Sequence, residues 1–192
     1  MESIVALAGR RIDLPSANPE RFPVRNIERV QLAIQSKLEE QGARSLVSSA
    51  AAGADLVGIK AAVVLGIDCR LILFASVREF AEKSVQDRGA YWEKEFERLV
   101  AATSPENLIF VPKRATDSDT FKAVNERILR ETLILASLRS STPISLAVWE
   151  GRPKEKEDFT VDFIEHSGKM RIPVLNISTL WDPMDDERPG LK

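Results

Sequence analysis

The chain has 192 residues, of which 44% are apolar, so it is long enough to bury a substantial core and short enough to form one domain. Acidic and basic residues nearly cancel, to a net charge of −2, which argues against nonspecific attraction to nucleic acid or anionic lipid. One cysteine and one histidine exclude an internal disulfide and a zinc cluster, and the absence of a long apolar run or a signal sequence predicts a cytoplasmic protein.

The first predicted element is a strand at residues 4–8, a continuous apolar run that is followed by a glycine. Residues 10–25 carry three prolines, which exclude a regular helix and predict a loop over the carboxyl end of this strand. Asn26 can cap a helix whose apolar residues recur at spacings of three and four until Gly42. A second strand follows at residues 46–47.

Residues 45–66 form the stretch around which the chain is organised, a strand that runs into small residues and then into a helix. The predicted buried face of that helix carries Leu56, Ile59 and Val63. Small side chains at residues 49–53 leave the backbone N–H groups at the helix start accessible, and unpaired N–H groups suit an anion. The alternative is that alanine and glycine there let the helix pack close to the strand.

The remaining predicted elements continue the alternation of strands and helices. In order, they are a strand at 71–74, a short helix with a capping box at Ser76 and Glu79, a helix opened by Asp87 that buries Trp92, Phe96 and Leu99, a strand at 108–111, a long helix from Asp117 or Ser118, a strand at 144–149, a helix at 158–167 and a strand at 174–177.

This alternation with short returns predicts an α/β fold with a three-layer, doubly wound and mostly parallel sheet of about six strands. We expect the Rossmann-like strand order 3-2-1-4-5-6. Residues 1–178 are predicted to form the single domain. The polar tail at residues 179–192 is expected to fray or to lead into a linker and a partner domain.

Ligands bind such sheets at the carboxyl ends of the strands, where three predicted loops meet. After the first strand, Gly9 lets the backbone turn, and Arg10 or Arg11 either binds a phosphate or pairs with local carboxylates. After the second strand, Asp55 either complements the helix dipole or accepts a ribose hydroxyl. After the fifth strand, Trp149 either stacks on a base or packs in the core.

Three short motifs occupy these loops: Gly9-Arg10-Arg11 matches G-[HR]-R, residues 49–55 match S-x-A-A-G-A-D, and Trp149-Glu150-Gly151 matches W-[DE]-G. In this combination, over about residues 3–178, the chain resembles the SLOG superfamily of Rossmann-like nucleotide-binding domains. The resemblance implies a nucleotide-type ligand. Enzymatic members of the superfamily cleave the N-glycosidic bond of a nucleoside monophosphate and carry a PGGxGTxxE turn after a late strand.

The sequence departs from that catalytic turn. Thr160 and Asp162 match the pattern, but Asp158 and Phe159 stand where the family has paired glycines. Two side chains, one of them anionic, would crowd and repel a phosphate at this turn. Glycosidic cleavage is therefore not expected, and Glu150 and Asp162 remain as acid or base candidates without a positioned partner.

The sequence thus predicts a sensor domain that binds a phosphate- and ribose-containing ligand, such as an ADP-ribose-like or cyclic nucleotide. Ligand binding would then be signalled to an effector domain, a protein partner or a second copy of the chain. No metal, cofactor, membrane or nucleic-acid partner is predicted. The alternatives are a nucleoside monophosphate hydrolase or base-exchange transferase, and an interaction domain whose pocket has decayed. The predicted ligand-binding residues are Gly9, Arg10, Arg11, Ser49, Ala51, Ala52, Gly53, Asp55, Trp149, Glu150, Gly151, Arg152 and Thr160.

Overall fold

A computed structural model of the protein describes residues 2–181 and shows six strands and six α-helices in strict chain alternation apart from one helix pair. They are β1 (Ser3–Gly9), α1 (Ile27–Glu40), β2 (Ala43–Ser48), α2 (Ala54–Val64), β3 (Asp68–Phe74), α3 (Val77–Ser84), α4 (Ala90–Ala102), β4 (Leu108–Val111), α5 (Asp117–Leu138), β5 (Thr142–Val148), α6 (Phe159–Lys169) and β6 (Val174–Ile177). Short 3₁₀ turns lie at Val24–Asn26, Gln86–Arg88 and Pro105–Asn107.

The six strands form one sheet in the order β4-β3-β2-β1-β5-β6, and every neighbouring pair is parallel. Helices α1 and α2 contact each other, as do α5 and α6. Since parallel crossovers are right-handed, the reversal of direction after β4 puts α5 and α6 on the face opposite α1 and α2. The predicted three-layer, doubly wound, Rossmann-like fold is confirmed.

The predicted strand order 3-2-1-4-5-6 is wrong. Strand β4 pairs with β3 at the sheet edge, and β5 occupies the place beside β1. Helix α5 makes the return across the sheet: its 22 residues span about 33 Å, and it contacts every strand from β4 to β5.

Helix starts follow local capping chemistry, with some corrections to the sequence prediction. Ser76 Oγ accepts a hydrogen bond from the Glu79 N–H, as the capping-box spacing predicts. Asp87 does not open α4; it lies in the 3₁₀ turn that precedes Gly89. Thr116, one residue before the predicted start, caps α5.

Helix α2 is buried around most of its circumference, because α1 and α4 pack against it while it covers β1 and β3. Leu56 and Ile59 are buried as predicted, but Val63 is 51% exposed in the last turn. The aromatic stripe of α4 is core, also as predicted, since Trp92 and Phe96 are buried.

The described part of the predicted tail packs on the domain. Thr179 is fully buried, its Oγ1 donates to the Arg21 carbonyl and its own carbonyl accepts from Asn26 Nδ2. The Trp181 ring lies 4.7 Å from the Arg29 guanidinium. Residues 182–192 of the predicted tail lie outside the described residues. No helix within residues 2–181 has the length and apolar character to cross a membrane.

Candidate functional site

A cavity of about 660 Å³ lies at the carboxyl edge of the sheet, where the loops after β1 and β2 face the starts of α5 and α6. Its base is formed by the ends of β1 and β2, and its walls by α3, α5 and α6. Leu14 and residues 16–19 of the proline-rich loop close it from one side. The position is the one at which doubly wound sheets bind ligands.

The structure divides the predicted ligand-binding residues into two groups. Those that line the cavity are Gly9, Arg10, Arg11, Ser49, Ala51, Asp55 and Thr160. Those that do not are Ala52, Gly53, Trp149, Glu150, Gly151 and Arg152. Residues 149–152 after β5 therefore lie outside the cavity, whereas Lys154 of the same loop lines it.

Asp55 and Ser49 form a buried polar pair at the base of the cavity. The Asp55 carboxylate accepts hydrogen bonds from the Ser49 hydroxyl and from the backbone N–H groups of Ala51 and Gly9. Burial raises the pKa of the Asp55 carboxyl to about 6, although these hydrogen bonds oppose the rise. A carboxyl that changes charge near neutral pH thus lies within the cavity.

The small-residue turn before α2 is packed against the loop after β1. The Ala52 N–H donates to the Ser84 carbonyl and the Ala54 N–H to the Arg10 carbonyl, each at 2.9 Å. Gly53 has φ +135°, and a Cβ there would lie 2.5 Å from the Arg10 carbonyl oxygen. These two N–H groups donate hydrogen bonds within the protein. Ala52 and Gly53 therefore fit the alternative considered from the sequence, in which small residues allow close packing.

Arg10 is a buried structural cation with only 3% of its surface exposed. Its Nε lies 2.7 Å from Glu150 Oε2, and its two terminal nitrogens bind Asp158 Oδ1 at 2.6 Å and the Arg152 carbonyl at 2.8 Å. Burial alone would lower the pKa of the Arg10 guanidinium, but Asp158 and Glu150 raise it. Arg10 therefore joins the loops after β1 and β5 to the start of α6 by pairing with local carboxylates.

Trp149 packs on the outside of this arginine network. The Arg10 guanidinium carbon lies 5.4 Å from the centre of the Trp149 ring, and the indole Nε1 donates to Asn176 Oδ1 at 2.8 Å. The structure thus places Trp149 beside Arg10 and away from the cavity.

Asp158 does not present a free charge to the cavity. Its carboxylate caps α6 by accepting from the N–H groups of Thr160 and Val161, and it pairs with Arg10. Burial alone would raise the pKa of the Asp158 carboxyl, but the hydrogen bond from Arg10 and those from the backbone hold it below its ordinary value. The carboxylate that the sequence predicts to repel a phosphate is therefore paired with Arg10.

Two cavity arginines share a single carboxylate, a feature that the sequence analysis missed. Arg11 and Arg88 both bind Asp87, with Asp87 Oδ2 3.2 Å from an Arg11 nitrogen and 2.9 Å from an Arg88 nitrogen. Each arginine also buries an Nε–H that has no acceptor within residues 2–181. Desolvation and the Arg11 charge lower the pKa of the Arg88 guanidinium. Asp13 interacts electrostatically with Arg88, and Asp55 with Arg11. Nothing in the sequence spacing of the two arginines indicates that they lie together.

Lys154 supplies a further cation to the cavity wall. Desolvation and the Arg10 charge lower the pKa of its ammonium group. No carboxylate within residues 2–181 forms an ion pair with its Nζ atom.

Two phenylalanines form an aromatic wall of the cavity. Phe121 and Phe159 line the cavity, are half-buried, and have ring centres 5.0 Å apart at an angle of 56°. The sequence analysis treated Phe159 only as the replacement of a glycine. Their position follows from the approach of α5 to α6, which sequence periodicity does not reveal.

The two acid or base candidates lie away from the cavity. The Glu150 side chain is 1% exposed and pairs with Arg10 and Arg21. Asp162 accepts a hydrogen bond from Asn125 Nδ2 at 2.9 Å and lies 3.3 Å from His166 Nδ1. Neither carboxylate lines the cavity, whereas Asp55 does.

The chain is similar to a solved structure at low sequence identity. No protein-family model matches the sequence, and no curated protein matches it. Among solved structures, the chain is similar to DNA processing protein A (DprA) from Streptococcus pneumoniae. The two are 15% identical, with a TM-score of 0.42 over 90% of this chain, and the match spans 58% of the DprA chain. We assign no site residue from this likeness.

Proposed function

We propose that this protein is a nucleotide-binding domain of the SLOG type. The observation that carries the proposal is the composition of the cavity, which combines an arginine pair, a buried carboxylate with a hydroxyl, and an aromatic wall. These are the groups that bind phosphate, ribose and base, respectively.

We infer roles within the proposed site that differ from those expected from the sequence. Arg11 and Arg88 bind the phosphate, because both line the cavity and lie close enough together to share Asp87. Asp55 accepts a ribose hydroxyl, and Phe121 and Phe159 stack on the base. Arg10 maintains the shape of the site by joining the loops around it, and Trp149 packs on Arg10 outside the cavity.

Isothermal titration calorimetry with AMP, ADP-ribose, cyclic ADP-ribose and a cyclic dinucleotide tests the proposal. At least one of them should bind, and Arg88→Gln should weaken that binding about 10- to 100-fold, as expected for a lost charge-assisted hydrogen bond. Arg98→Gln is the matched control, because Arg98 is exposed on α4 and pairs with Glu95. Absence of heat with all four ligands would refute the proposal.

We infer that ligand binding is passed to a partner domain or to a second copy of the chain. Sedimentation velocity with and without ADP-ribose tests the second route. A ligand-dependent increase in mass supports it, and an unchanged mass argues against it.

A nucleoside monophosphate hydrolase is the second candidate, because the cavity contains a carboxyl with a pKa near neutral, the property of a general acid or base. Release of free base from AMP that is abolished by Asp55→Asn would support it. Glu150→Gln cannot serve as this test, because Glu150 holds two arginines in the supporting network.

A further inference from the structure

Asn125 lines the same cavity as the two aromatic rings. It follows Phe121 by one turn of α5, is 7% exposed and lines the cavity. Its Nδ2 donates to the Phe159 carbonyl at 2.8 Å and to Asp162 Oδ2 at 2.9 Å. Both partners only accept hydrogen bonds, so they fix the orientation of the amide.

The Oδ1 atom of Asn125 is a hydrogen-bond acceptor that has no donor within residues 2–181. This atom is nevertheless not fully buried. The fully buried side-chain atoms without a partner in that part of the chain are Ser3 Oγ and the Nε atoms of Arg11, Arg88 and Arg127. Asn125 Oδ1 therefore keeps contact with the space that its residue lines.

We propose that Asn125 is a specificity-determining residue, which selects ligands whose base carries an exocyclic amino group over ligands with a keto group at the same position. This inference rests on the proposed function, because it needs a base against Phe121 and Phe159. An amino group donates to Oδ1, whereas a keto oxygen would bring two acceptors together without a proton between them.

The amide cannot adapt to a keto group by rotating. Rotation would turn Oδ1 toward the Phe159 carbonyl and the Asp162 carboxylate, and both Nδ2 hydrogen bonds would be lost. The neighbouring Thr160 hydroxyl, in contrast, can donate or accept, and therefore does not discriminate. The selectivity of this wall thus depends on Asn125.

Calorimetry with three purine nucleotides tests the inference on the unmodified protein. AMP has an amino group at the purine 6-position, purine riboside monophosphate has hydrogen, and IMP has a keto group. We expect affinity to fall in that order, with AMP bound about tenfold or more tightly than IMP. Equal affinities for AMP and IMP would overturn the inference while leaving nucleotide binding intact.

Two variants assign the selectivity to this residue. Asn125→Leu removes the acceptor at similar volume and should bring the AMP-to-IMP affinity ratio close to one. Asp162→Asn should keep the ratio, because the Phe159 carbonyl still orients the amide. A ratio that persists in Asn125→Leu would overturn the role of Asn125. If Asn125→Leu does not fold, the order of the three ligands on the wild type decides. No binding of any nucleotide would overturn the proposed function together with this inference.

Discussion

Gly53 provides a sharp test of how the site is built. Its backbone has φ +135° and ψ −132°, a region that side chains rarely permit. A Cβ at this position would lie 2.5 Å from the Arg10 carbonyl oxygen, 2.5 Å from the Ile12 nitrogen and 2.7 Å from the Arg11 Cα. All three atoms belong to the backbone, so no side chain can rotate away.

We expect Gly53→Ala to cost stability through two additive effects. Backbone strain contributes about 1–3 kcal/mol, and displacement of the packed loop contributes about 1–3 kcal/mol more. Gly66→Ala is the matched control, since Gly66 also has a positive φ, of +68°, but a Cβ there meets no atom within 4 Å. The control should lose only about 1–2 kcal/mol, the cost of the left-handed backbone.

Urea unfolding monitored by tryptophan fluorescence measures both variants. Gly53→Ala should show the larger loss of unfolding free energy, which is a large fraction of the 5–15 kcal/mol typical of a domain. Equal losses in the two variants would refute the reasoning, because they would mean that the loop at residues 10–12 yields freely to a side chain at position 53.

The remaining predictions concern charges and aromatic rings around the cavity. The pKa of Asp55 is about 6 in the folded protein and 3.8 ordinarily. The protonated carboxyl therefore contributes to the unfolding free energy below pH 4, and this contribution is lost as the pH rises through 6. Urea unfolding of Asp55→Asn and wild type measures this effect. Between pH 4 and pH 7, the unfolding free energy of the variant should rise relative to that of wild type by an amount on the order of 2–3 kcal/mol. If the difference between the two proteins is the same at both pH values, the pKa of Asp55 is not raised by burial. Asp158→Ala should melt at a lower temperature than Asp158→Asn. Both variants lose the charge that pairs with Arg10, but asparagine still caps α6, whereas alanine also loses about 1 kcal/mol of capping. Identical melting temperatures would show that the side chain at position 158 does not stabilise the helix by capping. In calorimetry, Phe159→Leu should weaken nucleotide binding several-fold and Trp149→Phe should leave it unchanged, whereas the opposite result would place the base outside the cavity.

Most of the fold could be predicted from local patterns. Short apolar runs located all six strands, and the strands at residues 108–111 and 174–177 have the predicted bounds. Local patterns contain no information on which strands become neighbours, so the order around β4 was wrong. That order depends on how far the long helix α5 carries the chain back across the sheet.

The candidate site was predictable as a location but not as a set of side chains. Three sequence motifs pointed to the carboxyl edge of the sheet, and Arg11, Ser49 and Asp55 do line the cavity there. Whether an arginine faces a ligand or a carboxylate depends on distant partners, since Glu150 lies 140 residues from Arg10. Arg88 lies in the 3₁₀ turn after α3 and Phe121 lies on α5. Tertiary packing brings both to the site, and it leaves no trace in residue spacing.

A crystal structure of the complex with ADP-ribose would test the central claim most directly, which is that the cavity between the loops after β1 and β2 and helices α5 and α6 binds a nucleotide. We expect a phosphate within hydrogen-bond distance of the Arg11 and Arg88 guanidinium groups and a base against Phe159. A ligand bound on the outer surface at residues 149–152, with Arg11 and Arg88 still paired only with Asp87, would contradict the claim.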